Sequence, residues 1–191
     1  MNPRAAHSGL PSTAGFAHPP RNVMALGIEP GMTIADFGSG SGAYVLAMAE
    51  HTAGLGTIYA VDVQKDLLKR THNEAIKRGF KNVNVIWGDL EKTHGSKLGD
   101  HACDLVLISN LLFQVEDKAI LFREALRILR PEGRLAIVDW KESYGGLGPI
   151  QTQVVDDVAA KKLAESAGFT LSKEFPAGAH HYGLIFSVSK T

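Results

Sequence analysis

Along this chain, short apolar runs alternate with stretches whose apolar positions recur at helical spacing. The runs at 33–37, 57–63, 83–87, 104–109 and 134–140 predict strands, and the stretches between them at 43–51, 65–78 and 117–129 predict helices. Strands separated by helix-length crossovers pair in parallel. Pro19 and Pro20 suit the first turn of a short helix reaching about Gly27, Pro30-Gly31 signals a turn, and Pro131 ends the helix at 117–129. A glycine-rich loop at 143–149 then leads to a helix at 154–167, stopped by Gly168. Two strands follow, at 170–175 and 182–189. The short link between them around Ala177 and Gly178 requires an antiparallel hairpin. The expected fold is therefore α/β: three layers, doubly wound, around a mostly parallel seven-stranded sheet with an antiparallel last strand. Residues 1–18, where prolines and small residues break any period, read as an irregular arm, and 19–191 as a single domain.

Composition narrows the setting. With 191 residues, 45% of them apolar, the chain has ample material for one core. Twenty basic residues balance twenty acidic ones, which disfavours binding driven by broad phosphate neutralisation, although a local basic patch is compatible with a neutral total. Cys103, the single cysteine, allows neither an internal disulfide nor a thiolate metal cluster, and its apolar surroundings mark it as packing. A reducing, cytoplasmic setting fits this usage, and no metal site is expected. No stretch reaches the roughly 18 uninterrupted apolar residues of a membrane span.

The densest chemical signal follows the first predicted strand, where Asp36, Gly38, Ser39, Gly40 and Gly42 form the turn Asp-Phe-Gly-Ser-Gly-Ser-Gly. Glycines without a Cβ let backbone amides close on a ligand just where a helix begins and offers its positive end. Gly38 through Ala43 also satisfies the loose dinucleotide pattern, so these residues alone leave open a nicotinamide cofactor or S-adenosylmethionine. Asp62 ends the second strand, Gly88-Asp89 the third, and Leu129-Arg130-Pro131-Glu132-Gly133 precedes the fifth. In these four ordered features the chain resembles the class I S-adenosylmethionine-dependent methyltransferases, from about Val23 to the last strand, and 19–191 is then one methyltransferase domain. The resemblance implies a cofactor site of Asp36, Gly38, Ser39, Gly40, Gly42, Asp62, Val63, Gly88, Asp89, Leu90 and Asn110. Within it, the glycines would approach the methionine portion and Asp36 would help to hold its ammonium. Asp62 would accept the ribose hydroxyls, Val63 or Gln64 would cover the adenine, and Asp89 would accept from the adenine amine. Asn110, after the fourth strand, would face the cofactor's amino acid and the transferring methyl.

For the acceptor the sequence offers a rim of candidates and no single choice. His18, Phe113, Gln114, Asp139, Trp140, Lys141, Glu142, His180, His181 and Tyr182 all fall at predicted strand ends or in the arm. Of these, His180, His181 and Trp140, with Asn110, are the catalytic candidates: an imidazole can take a proton near neutrality, and an indole can wall an apolar pocket. Neighbours on a strand face opposite ways, so only one histidine of the pair would reach a given pocket. The Asn/Asp-Pro-Pro-Tyr/Phe signature of adenine- and glutamine-methylating relatives is absent: Ser109 to Gln114 occupy its place. Arsenite-methylating relatives use several cysteines, which Cys103 alone does not supply. In texture the chain is similar to members that methylate small molecules such as quinone precursors, so a small-molecule acceptor is expected. RNA or protein methylation, a catalytically inactive regulatory subunit and a homodimer stay open. A lid made by the arm, through Phe16 and His18, with the 145–149 loop is a further expectation.

Overall fold

The computed structural model describes residues 17–189; most of the predicted arm, Phe16 included, lies outside them. His18 caps the first helix, α1 (Pro19–Ala25), its Nδ1 accepting from the Arg21 amide. There follow β1 (Thr33–Phe37), α2 (Ala43–His51), β2 (Thr57–Asp62), α3 (Lys65–Lys77), β3 (Val83–Trp87) and β4 (Cys103–Ser109). After these come α4 (Lys118–Ile128), β5 (Leu129–Trp140), a short 3-10 turn (Gln151–Gln153), α5 (Asp157–Ser166), β6 (Phe169–Gly178) and β7 (His181–Val188). The sheet has the order β3-β2-β1-β4-β5-β7-β6. All neighbouring pairs are parallel except those made by β7, which runs antiparallel to both β5 and β6.

Three boundaries differ by three residues or more from those read off the sequence. β5 begins at Leu129 rather than at 134, because Leu129 pairs with Cys103 and Arg134 with Leu105. The intervening Arg-Pro-Glu-Gly therefore bulges out opposite the single residue Asp104, and a bulge is where a strand tolerates proline. α5 starts at Asp157, not 154, since the Asp156 carboxylate accepts from the Ala159 amide and sets the cap. β6 extends through Pro176, which an edge strand permits because its outer amides need no partner.

Two apolar layers sandwich the sheet. One packs Phe122 and Ile128 against the face carrying Phe37, Ile108, Phe169 and Phe186; the other packs Val23, Val45 and Met48 against Ile34, Leu107 and Val138. Strand order reverses between β1 and β4, whose connections leave to opposite faces. The chain therefore opens a crevice at the carboxyl ends of these strands, the position where such sheets receive ligands.

Candidate functional site

At the end of β1 the chain turns over the end of β2: the Gly38 and Ser39 amides both donate to the Val61 carbonyl, at 2.9 and 3.1 Å. Gly38, Gly40 and Gly42 have φ of 69°, 52° and 79°, a left-handed run that side chains resist. Close approach adds a second reason at Gly42, the N-cap of α2, where a Cβ would stand 2.5 Å from the Thr71 side chain. Asp62 ties the turn to β2. Its Oδ2 accepts from the Gly40 amide and its Oδ1 from the Gln64 amide, each at 2.8 Å, so every carboxylate oxygen is oriented and keeps a further lone pair.

These residues line one groove. Gly38, Gly40, Asp62, Val63, Gly88, Asp89 and Leu90 form its walls, together with Gln64, Glu91, Leu111, Gln114 and Val115. Asp89 lies partly exposed at the mouth and pairs with Lys92 at 2.9 Å, whose hydrogen bond holds its carboxyl below the usual carboxylate value. Next to it Trp87 is about half exposed, its indole donating to the Val63 carbonyl while the Lys65 ammonium lies 3.9 Å from the ring centroid. Asp36, Ser39, Gly42 and Asn110 are not groove walls. Gly42 packs on Thr71, whereas Asp36 and Ser39 are buried beneath the turn.

Beneath the groove, polar atoms are buried without partners. Six side-chain atoms of this kind occur among the described residues, and five of them lie at this end of the sheet: both oxygens of Asp36, Ser39 Oγ, His181 Nδ1 and, beside Gly42, Thr71 Oγ1. Buried polar groups almost always find partners, so such a concentration points to a missing ligand. Burial pushes the Asp36 carboxyl up to about 8, with the charge of Asp62 adding to the effect. Tyr44, from the first turn of α2, lies close enough to feel the charge of Asp36, and its hydroxyl accepts from Asn22 of α1 at 2.9 Å.

β7 brings the histidine pair to the same end, because His181 pairs with Trp140 across the strands. The two histidines part company there. His181 is buried, its Nε2 lying 3.0 Å from Asn110 Oδ1 and its ring 4.2 Å from that of Trp140. His180 instead pairs with Glu142 at 2.7 Å and stacks on Tyr144. Burial lowers the His181 imidazole to about 4, with His180 and Lys141 pushing the same way. Asn110, at φ 50°, joins this cluster to the groove: its carbonyl accepts from Gln114 Nε2 and its side chain meets His181.

Four contributors carry little or no signal in the sequence. Asp139 is there one rim residue among many, yet its carboxylate accepts from the amides of Leu111, Leu112 and Trp140 and so pins the turn after β4. Burial raises it to about 6 although those amides pull it down. Tyr44 and Asn22 belong to no motif; the only signal is a polar residue on the otherwise apolar face of each helix. Leu111 likewise gives no sign, although its methyls lie within 2.9 Å of where a Gly38 Cβ would stand.

A doubly wound sheet with this strand order, one antiparallel strand at β7 and a glycine cradle closed by an aspartate on β2 defines the class I methyltransferase fold, whose cofactor is S-adenosylmethionine. The chain belongs to the methyltransferase domain family, whose model matches residues 28–177. Nocamycin O-methyltransferase of Saccharothrix syringae is 27% identical over 146 residues, covering 71% of this chain and 49% of that protein. Arsenite methyltransferase of Halobacterium salinarum is 26% identical over 112 residues, covering 59% and 28%. The chain thus spans half or less of the length of these two curated relatives. A crystal structure of a SAM dependent methyltransferase from Aquifex aeolicus matches with a TM-score of 0.81 at 26% identity, over 92% of each chain. Among the described residues, no helix is long and apolar enough to cross a membrane.

Proposed function

We propose that this chain catalyses methyl transfer from S-adenosylmethionine to a small-molecule acceptor. The observation that carries the reading is the buried carboxylate of Asp36, both oxygens unpartnered, lying under a groove whose rim is Asp62 and the glycine turn. A carboxylate in that position calls for a cation, and the cofactor brings an ammonium. The residues fit the remainder of that molecule as well. Amides of the glycine turn and the positive end of α2 suit a carboxylate, and the spare lone pairs of Asp62 suit a ribose diol. Val63, Gln64 and Leu90 offer flat, partly apolar cover for an adenine, with Asp89 as the acceptor for its amine. Asn110 stands where cofactor and acceptor would meet.

When bound, the cofactor supplies an electrophilic methyl on a positively charged sulfur. The protein's share is to align the acceptor with that methyl and to exclude water, since positioning and desolvation supply much of the acceleration in a one-step displacement. A small acceptor accords with a neutral chain and with the O-methylating activity named for the Saccharothrix relative. Arsenite is a poor candidate here, because Cys103 is the sole cysteine and is buried in the core, its thiol pushed up to about 12 by that burial.

Calorimetric titration with S-adenosylmethionine and S-adenosylhomocysteine, beside NAD, tests the reading. Binding of the first two, weakened roughly a hundredfold in Asp62→Ala, is expected; binding of NAD alone overturns it.

A further inference from the structure

The polar cluster below the groove contains one base that cofactor binding does not use. Asn110 Oδ1 can only accept, so the 3.0 Å contact requires His181 to carry its proton on Nε2. The lone pair then resides on Nδ1, which is buried and has no partner. An imidazole oriented through one nitrogen by a third group, with the other nitrogen bare, has the arrangement of a general base. Asn110 is also tied to the groove, both through Gln114 and through Leu111 directly after it. The base is thus linked to the groove through a single residue, Asn110. Resting on the methyltransferase reading above, we infer that His181, oriented by Asn110, is the catalytic base that takes the proton from a phenolic hydroxyl acceptor.

The surroundings select the acceptor class. Trp140, 8% exposed, lies against the His181 ring, and Gly148 presses on the outer side of the indole, where a Cβ would come within 2.5 Å of it. From that loop Tyr144, Leu147 and the following Ile150 present large apolar surfaces, giving the rim a collar suited to a flat, apolar ring. Asp36 is committed to the cofactor's ammonium, and no other buried carboxylate without a partner occurs among the described residues to receive a cationic acceptor. Burial, with His180 and Lys141 at the strand ends pushing the same way, keeps the His181 ring neutral. Glycines 145, 146 and 148, all at positive φ, give the loop the freedom to lift and admit the ring.

The step balances. The acceptor's O–H bond breaks and its proton passes to Nδ1, while an oxygen electron pair forms the O–CH3 bond. The electron pair of the S–CH3 bond stays on sulfur, which loses its positive charge as the imidazole gains one.

Two measurements test the inference. In the free protein, two-bond nitrogen–proton NMR of the labelled histidines should show the His181 ring neutral, protonated on Nε2 and bare on Nδ1; a ring protonated on Nδ1 overturns it. Methyl aryl ether and S-adenosylhomocysteine are then followed with phenol, para-cyanophenol and para-nitrophenol, in order of rising acidity. Loss of the base should slow phenol methylation by His181→Ala roughly 100- to 10,000-fold near neutral pH. Added imidazole, or a pH high enough to ionise the phenol, should restore the rate. His181→Gln, which keeps the volume and an acceptor atom, should preserve KM and lose kcat, and its fold serves as the control for the alanine variant. Both variants should bind S-adenosylmethionine as the wild type does. Unchanged rates and pH profile in these variants overturn the role of His181. Failure of the wild type to methylate any of the three phenols while still binding the cofactor overturns the acceptor class and leaves the methyltransferase reading intact. Failure to bind the cofactor at all overturns that reading instead.

Discussion

Asp36 is the residue on which most turns. Apolar surroundings favour its protonated form, and an entering ammonium would favour the charged one, so cofactor binding should expel a proton at neutral pH. Calorimetry near pH 7 in two buffers of different ionisation enthalpy should therefore give different binding heats for S-adenosylmethionine. Asp36→Asn should abolish that difference; equal heats in the wild type would refute the role. Asp62 acts differently, already ordered by two amides and poised to accept. Its replacement by alanine removes charge-assisted bonds to the ligand and orphans the Gly40 and Gln64 amides, so affinity should fall roughly a hundredfold, about 3 kcal/mol. Both aspartates can be picked from the sequence by their place at the end of a strand. What escapes it is that Asp36 lies under the groove and Asp62 on its wall, since that depends on which way each carboxylate turns at its strand end.

At the scale of elements, the groove rests on two braces from distant parts of the chain. Asn22 of α1 donates to both the Tyr44 hydroxyl of α2 and the Ala177 carbonyl of β6, locking three elements at one point. Asn22→Ala should cost about 1–3 kcal/mol, read as a shift in the urea midpoint, because it leaves buried acceptors unserved. Glu124 of α4 holds the loop after β3 by accepting from the Ser96 amide and hydroxyl and pairing with Arg127 at 2.7 Å. Glu124→Ala strips the Ser96 amide of its acceptor and Arg127 of one of its two carboxylate partners, and should destabilise the protein by about 1–3 kcal/mol. Amide exchange should quicken across 89–98, the stretch that supplies Asp89 and Leu90 to the groove; unaltered exchange there would dissociate the loop from this brace. The elements themselves are legible, because their periods are local. Their braces are not, since Asn22 and Glu124 find partners 155 and 28 residues away.

For the molecule as a whole, the shifted groups oppose one another in a way that pH can expose. The Asp36 carboxyl rises from 3.8 to about 8 on folding, so the native state holds a proton there that the unfolded chain has lost, and stability falls as pH climbs through that interval. His181 drops from 6.5 to about 4, so the unfolded chain gains a proton there and stability falls as pH descends through its own interval. The two slopes oppose each other below 6.5 and leave Asp36 alone from 6.5 to 8. Over that window the unfolding free energy of the ligand-free protein should decline by at most about 1.4 kcal/mol per pH unit, the slope halving as pH reaches 8, and Asp36→Asn should flatten it. A flat wild-type profile would show that Asp36 is ionised or solvated. The α/β class, the seven strands with one reversed, and the glycine turn with its aspartates were determined by the sequence alone, because periodicity, turn chemistry and chain order are local properties. Only the tertiary structure decided that His181 rather than His180 faces inward beside Asn110, that Gly42 serves packing on Thr71, and that Arg130 to Gly133 bulge from β5. Each of those outcomes depends on strand register and on partners far along the chain, which a sum of local preferences does not contain.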